Sequence, residues 1–555
     1  MHSPLESTSC GLPETPPRPS FLQKKPSLSQ LTLGGSSKSI KISELQAQPT
    51  TEITFASAGT APAQGDSASV YQGMAGLDLR SVRGDPMTGG SDSWTVRTNP
   101  TLTIFSDEEE GATSMKFTDR LGEMLREPTT RLWDVPPEEE KEMRRTKQFF
   151  VLSSAGKPIY SMTDTNGDDE GQEENNQFVT DGGVIQTLVS SFALDGSELT
   201  SFVAGTTRFT VLDRSPLILV AVSKLKENES DLLNQLDLIH SFLMSTFSRP
   251  NIVRSFQNKE GFDLGKHLGR ACVSGLDLLC RLMARFDPGI LLGALQTIKL
   301  RKSTRAKVNS IMIKHRVKEV LYGLLLGPGG KLITILRPRS HTLHTTDLQI
   351  LFLTVANQSR GNTGEEELWL PICLPKFNPN GFLHVFVKHV GETSLLLVSA
   401  DKNSFFTVRE SAQKMCADLE RHRYFDKFNM SALSGLSTAD IPAPLVYHFI
   451  YKSKRHLQYV MPTQTEPSQL HAHYLSLHSA VNRSGRIGVT YCKWESERPG
   501  VPALAGVGWV TPNYEVYLIT SGTARKEVFV GSARAVVNWC KKYEERLFVC
   551  EGATF

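Results

Sequence analysis

The glycine-rich turn Leu326-Gly-Pro-Gly-Gly-Lys331 is where this chain comes nearest to a phosphate-binding loop. That chemistry needs an earlier glycine, so that the backbone can wrap the phosphates, and a Ser or Thr after the lysine to hold magnesium. Leu325 and Leu332 stand in those places, so the glycines are read as a tight turn between two strands. The pairs His341/His344 and His471/His473 have spacings short enough to share a metal, but neither brings the carboxylate or thiolate that would close a site. Asp347, near His344, reads as an acid early in a helix, where negative charge suits the dipole. Asp168, Asp169, Glu170, Glu173 and Glu174 cluster in a Gly- and Asn-rich stretch that reads as a solvated loop, with nothing to tune them for proton transfer. No nucleophile elbow, HExxH or kinase-type catalytic loop occurs. No covalent catalysis, metal or cofactor is expected.

The composition agrees with that reading. A chain of 555 residues is long enough for several domains. With 61 basic and 58 acidic residues, its net charge of +3 leaves no global footprint of a nucleic-acid binder. Cysteines at 10, 272, 280, 373, 416, 492, 540 and 550 form no CxxC pair and read as reduced, intracellular thiols. The N-terminus lacks the apolar stretch of a signal peptide, and no apolar run reaches the roughly 18 residues of a membrane span. A cytoplasmic protein with at most peripheral membrane contact is expected.

The elements show three rounds of one order. Residues 1–146 are rich in Pro, Gly, Ser and Thr, carry acidic runs at 107–110 and 138–140, and read as a disordered tail open to phosphorylation or an autoinhibitory contact. Folding is expected from Lys147. Strands at 147–154 and 157–162 flank the Ala155-Gly156 turn, an acidic loop follows at 164–176, and Asp181 caps a helix. The stripe on that helix, Val184, Ile185, Leu188, Val189 and Phe192, is wider than one sheet-facing side requires. Strands at 199–203, 207–213 and 216–223 lead to a helix with Leu232, Leu236, Ile239 and Leu243 on one face. The same β-β-α-β-β-β-α order returns in 319–421 and again in 444–547, where the last helix aligns Val536, Trp539, Cys540, Tyr543 and Leu547. The fold expected is α/β, layered α+β, with three related five-stranded, mainly antiparallel sheets flanked by helices. The divisions are 147–250, a helical insert at 251–316, 317–425 and 441–555.

Two surface features remain. Residues 299–318 hold eight Lys or Arg and no acid, either a solvated helix face or a contact with anionic lipid. Trp369, in Glu367-Leu-Trp-Leu-Pro-Ile-Cys-Leu-Pro-Lys-Phe-Asn378, lies in a Pro-bounded strand and marks either a sheet edge open to a partner or ordinary core. The basic clusters lack the interleaved aromatics of a nucleic-acid platform.

From Val151-Leu-Ser-Ser-Ala-Gly-Lys-Pro-Ile-Tyr-Ser161 onward the sequence resembles the Mon family of vacuolar fusion proteins. Ser215-Pro-Leu-Ile-Leu-Val-Ala-Val-Ser223, Cys373-Leu-Pro-Lys-Phe-Asn-Pro-Asn-Gly-Phe-Leu-His384, Leu395-Leu-Leu-Val-Ser-Ala-Asp-Lys402 and His448-Phe-Ile-Tyr-Lys-Ser-Lys454 match that family in the same order. The resemblance covers 147–555 and departs at the acidic loop, which is longer than the family core needs. It implies three longin domains and an obligate heterodimer with a Ccz-type longin subunit, joined through the first domains. It further implies nucleotide exchange on a late-endosomal Rab GTPase, with an early-endosomal Rab as recruiter. Peripheral attachment to phosphoinositide-containing late-endosomal, lysosomal or vacuolar membrane is also implied. On that basis Val184, Leu188 and Phe192 are expected at the partner interface and Lys157, Pro158 and Tyr160 near the GTPase. Trp369 is expected at the recruiting Rab, and Lys299, Arg301, Lys302 and Arg305 at the membrane. The competing reading is a longin-type adaptor that binds SNARE or coat proteins without acting on nucleotide.

Overall fold

The computed structural model describes residues 146–162, 169–225, 227–258, 262–358, 367–443, 445–463, 468–482, 488–494, 503–522 and 525–555. The expected tail, apart from Thr146, lies outside them, as do Asp164 and Asp168.

In the first module, β1 (Lys147–Ser153) and β2 (Pro158–Ser161) form the expected hairpin. Gly156 takes φ +76° in its turn, a conformation that side chains with a Cβ resist. Then come α1 (Asp169–Leu194), β3 (Ser201–Ala204), β4 (Thr207–Arg214), β5 (Leu217–Ser223) and α2 (Glu229–Phe247). The antiparallel sheet runs β2-β1-β5-β4-β3. Strand alternation splits its apolar residues between two faces. Phe150, Leu152, Ile218 and Val220 meet Ile185 and Val189 of α1. Phe149, Val151, Leu217 and Leu219 meet Leu232, Leu236, Ile239 and Leu243 of α2. One expectation is corrected here: α1 begins at Asp169, so 169–176 is helix and Asp181 lies inside it rather than capping it.

The insert contains α3 (Arg249–Asn258), α4 (Arg270–Ala284), α5 (Pro288–Leu292), the two-residue β6 (Leu295–Gln296) and α6 (Lys302–Lys314). Leu276, Leu279 and Met283 of α4 join the buried cluster that also holds α2 and the inner side of the second sheet. The insert therefore shares one core with the modules it links.

The second module has β7 (Val320–Leu326), β8 (Leu332–Arg337), α7 (Thr345–Gln358), β9 (Glu367–Leu374), β10 (Asn378–Val390), β11 (Thr393–Ser399) and α8 (Phe405–Arg421). A further helix, α9 (Tyr424–Ser434), was not expected from the sequence. Gly329 and Gly330 both take φ +69° between β7 and β8, as a tight turn requires. In the third module are β12 (Val446–Ser453), β13 (Gln458–Val460), α10 (Ser468–Asn482), β14 (Gly488–Trp494), β15 (Leu504–Val510), β16 (Tyr514–Ser521) and α11 (Lys526–Lys542). The helix breaks at Tyr543, so Leu547 belongs to a separate turn, α12 (Glu544–Leu547), ahead of β17 (Ala553–Thr554).

Each five-stranded core is present, and two sheets gain a sixth strand from elsewhere in the chain. β17 pairs parallel with β8, and β6 pairs parallel with β13. In the first module the 3-10 turn Gly265–His267 lies beside β2, where a Cβ on Gly265 would stand 3.1 Å from the carbonyl oxygen of Ile159. At the opposite edges, β3, β9 and β14 have no further strand among the described residues.

The second and third modules are joined at Arg305, which is 5% exposed. Its guanidinium donates to the carbonyls of Ile298, Ile333, Glu545 and Phe548 at 2.9–3.1 Å. Burial lowers its pKa to about 10. This corrects the membrane assignment: a side chain that spends its donors on interior carbonyls offers none to a headgroup. Arg305→Leu would orphan those acceptors. At about 1–3 kcal/mol for each unsatisfied buried group, urea denaturation should read a loss of at least about 3 kcal/mol. Lys302→Ala, which removes an exposed pair with Glu545, should leave the curve within error.

Candidate functional site

α1 sits on its sheet by one side only. Ile185 and Val189 are buried, and Gly182 lets the helix approach until Leu152 Cδ2 lies 3.2 Å from where a Cβ would be. On the outer side Val184, Leu188 and Phe192, spaced i, i+4, i+8, are 57%, 36% and 41% exposed. Leu194 and Val203 of β3 extend the uncovered apolar surface toward the open strand edge. A helix in water ordinarily turns charged residues outward, and residues 182–194 of α1 contain none.

The corresponding helices differ. α7 of the second module packs against α4 and α2, and its Leu348, Ile350, Leu351 and Leu353 are all buried. α10 of the third module packs on β14 and β15, and Asn228 at the start of α2 donates to the carbonyl of its Ser479 at 2.9 Å. Of the three, only the first module leaves both its long helix and its third strand uncovered among the described residues.

The hairpin residues part company. Lys157 is half-exposed and pairs with Asp263 at 2.9 Å, and Pro158 is half-buried. Tyr160 is buried, its hydroxyl donating to Asp277 at 2.7 Å, and burial raises that hydroxyl's pKa well above the ordinary phenol value. The expectation that Tyr160 faces a partner is corrected, because the ring points into the core shared with α4.

Trp369 lies on the free edge strand β9, half-buried, stacked on His384 at 5.5 Å and edge-on to Phe405 at 5.7 Å. Its Nε1 is buried without an acceptor. Beside it Phe406 is 74% exposed, an outward aromatic that the sequence reading missed. The signal was the Phe405-Phe406 doublet at a helix start, since neighbouring helical residues cannot both face one core.

The basic stretch is divided by pairing. Lys299 bonds Asp440 at 2.6 Å, Lys302 bonds Glu545 at 2.7 Å, and Lys314 bonds Asp418 at 2.9 Å. Arg301 is exposed at the start of α6. The histidine pairs hold no ligand geometry: His344 accepts from the Thr346 N–H, and His473 packs on Trp494 at 4.4 Å. No group of three metal-ligating side chains occurs among the described residues. Asp347 is fully buried, and its carboxylate accepts the Lys376 N–H at 3.1 Å. No helix among the described residues is long and apolar enough to cross a membrane.

Three family profiles match the chain: the first longin domain of FUZ, MON1 and HPS1 over residues 147–278, the second over 318–417 and the third over 445–544. The first of these takes in α3 and part of α4. The chain is 36% identical over 474 residues to vacuolar fusion protein MON1 of Saccharomyces cerevisiae, covering 74% of this chain and 72% of that protein. It is 37% identical over 429 residues to the Yarrowia lipolytica protein of the same name, covering 75% and 76%. With that of Eremothecium gossypii the identity is 36% over 477 residues, covering 74% and 80%.

Burial lowers the pKa of His240 and of His448 to about 4, and raises that of Asp347 to about 6. A histidine with a lowered folded pKa leaves the unfolded chain binding more protons between about pH 4 and 6.5, so stability is lost as pH falls through that window. Asp347 acts oppositely, its contribution fading as pH rises toward 6. Urea midpoints at pH 7 and pH 5 should therefore show a smaller acid loss in His448→Gln than in the wild type. The loss should be larger in Asp347→Asn.

Proposed function

The chain belongs to the family of vacuolar fusion protein MON1, and from that placement we propose that it serves vacuole fusion and membrane trafficking as one subunit of a guanine-nucleotide exchange factor. The substrate in this reading is a late-endosomal or vacuolar Rab GTPase. The observation that carries it is the uncovered face of α1 beside the free edge of β3, with Val184, Leu188 and Phe192 at its centre. Such a face suits a second longin module of the Ccz type, which can cover the helix row and add a strand at the edge.

Exchange in this scheme needs no bond-making residue. The paired subunits bind the open GTPase more tightly than the nucleotide-bound one, since equal affinity would shift nothing. Moving an equilibrium from 1:99 to 99:1 takes a difference of about 5.5 kcal/mol, within reach of one protein interface. Lys157 and Pro158 are the hairpin positions available for that contact. A recruiting early-endosomal Rab fits the free edge of β9, where Trp369 and Phe406 stand together. For phosphoinositide-containing membrane, Lys299, Arg301 and Lys302 remain as the basic set without Arg305.

Release of labelled GDP from a panel of purified Rabs, by the chain co-purified with its partner, tests this reading. Accelerated release from one Rab is expected. Unchanged release across the panel, with intact complex and membrane present, would leave the longin adaptor. Leu188→Asp, which forces an unpaired carboxylate into the proposed interface, should weaken partner capture roughly a hundredfold while the other modules stay folded. Wild-type capture in a pull-down would refute the interface.

A further inference from the structure

The first and third modules touch through the opening turn of α2 and the end of α10. There Asp231 Oδ2 lies 3.3 Å from His478 Nδ1, the two side chains being 9% and 10% exposed. One turn away, Asn228 Nδ2 donates to the carbonyl oxygen of Ser479 at 2.9 Å.

What distinguishes this contact is the way charge is shared around it. On the α2 side, Glu227 has its own cation, Lys147 at 2.6 Å, with further bonds from Ser223 and Gln235. On the third-module side, the Glu515 carboxylate is held by Lys452 and Lys454 at 3.3 Å each and by the Tyr517 hydroxyl at 3.1 Å. Tyr517 in turn lies against the His478 ring, with centroids 5.8 Å apart. Asp231 makes no direct contact with a fixed cation, although the Lys147 ammonium acts on it through space. Among the described residues its one ion-pair partner is His478, and a buried carboxylate is costly unless it is paired.

An imidazole is the side chain whose charge changes across the neutral range of pH. With the proton on, His478 closes the pair with Asp231, and the Glu515 carboxylate adds its attraction through space. With the proton off, Asp231 keeps a dipole where it had a cation, and the module contact weakens. A cleft lined by Asn228, Glu229, Ser230, Leu233 and Asn482 opens beside these two helix ends. We propose that Asp231 and His478 form a proton-operated latch between the first and third modules, closed when His478 is protonated and loosened when it is not. The latch sets one polar tie between α2 and α10, beside the apolar core that holds α2, and it does not depend on which partner the exposed α1 row binds.

The test is hydrogen–deuterium exchange on the full chain at pH 6.5 and pH 8.0, with intrinsic rates corrected for pH. Peptides covering 228–236 and 474–482 should exchange roughly three- to tenfold faster at the higher pH, while those of β10 and β11 stay unchanged. His478→Gln should show the loosened rate at both pH values, and the isosteric Asp231→Asn should abolish the pH step without unfolding α2. A wild-type chain with no step, a step that survives in both variants, or a change spread evenly over all three modules would each overturn the latch.

Discussion

The guanidinium of Arg305 holds four backbone carbonyls at one point. It reaches the segment before α6, strand β8, and both α12 and the residue that follows it. A planar fork with five donors can satisfy several carbonyls at once, where a lysine could not. Because those carbonyls come from two modules, the second and third sheets cannot separate without stranding buried acceptors. The same anchor places residues 553–554 where they can pair with β8, and Phe555 where the Arg316 guanidinium lies 3.4 Å from its ring.

From that anchoring follows a division of sheet edges. An unpaired edge is a template for any strand that meets it. The chain closes three such edges itself, with β17 on β8, β6 on β13 and the 3-10 turn beside β2. The three opposite edges meet no further strand among the described residues. In the second module α2 packs against β9, and in the third α10 leans on β14. Among the described residues, only in the first is the open edge joined to an uncovered apolar helix. Uncovered apolar surface is thus concentrated by what the neighbours leave bare, although all three modules share one topology.

Charge follows the same logic. The basic stretch that looked like a lipid-facing row is largely occupied with tying modules together, Lys299 to Asp440 and Lys302 to Glu545 across sequence separations of more than a hundred residues. Asp231 and His478 make a further tie of this kind, with a titratable cation in place of a permanent one.

The strand and helix order, thrice repeated, could be read from the residues alone, because the periods of 2 and 3.6 are local properties of the chain. So could the extra width of the apolar stripe on α1 and the turn role of Gly329 and Gly330. The resemblance to the Mon family rested on short strand-turn segments of the same local kind. What the sequence could not carry was which side chains lose water. Arg305 and Tyr160 look like surface residues by type and are interior by position, since desolvation is decided in part by segments more than a hundred residues away. The closing strands β6 and β17 are two residues long, too short for any periodic signal, and exist only because tertiary packing brings them to an edge. The pairing of Asp231 with His478 is likewise invisible along the chain, being a juxtaposition of two helices that only the folded arrangement of modules creates.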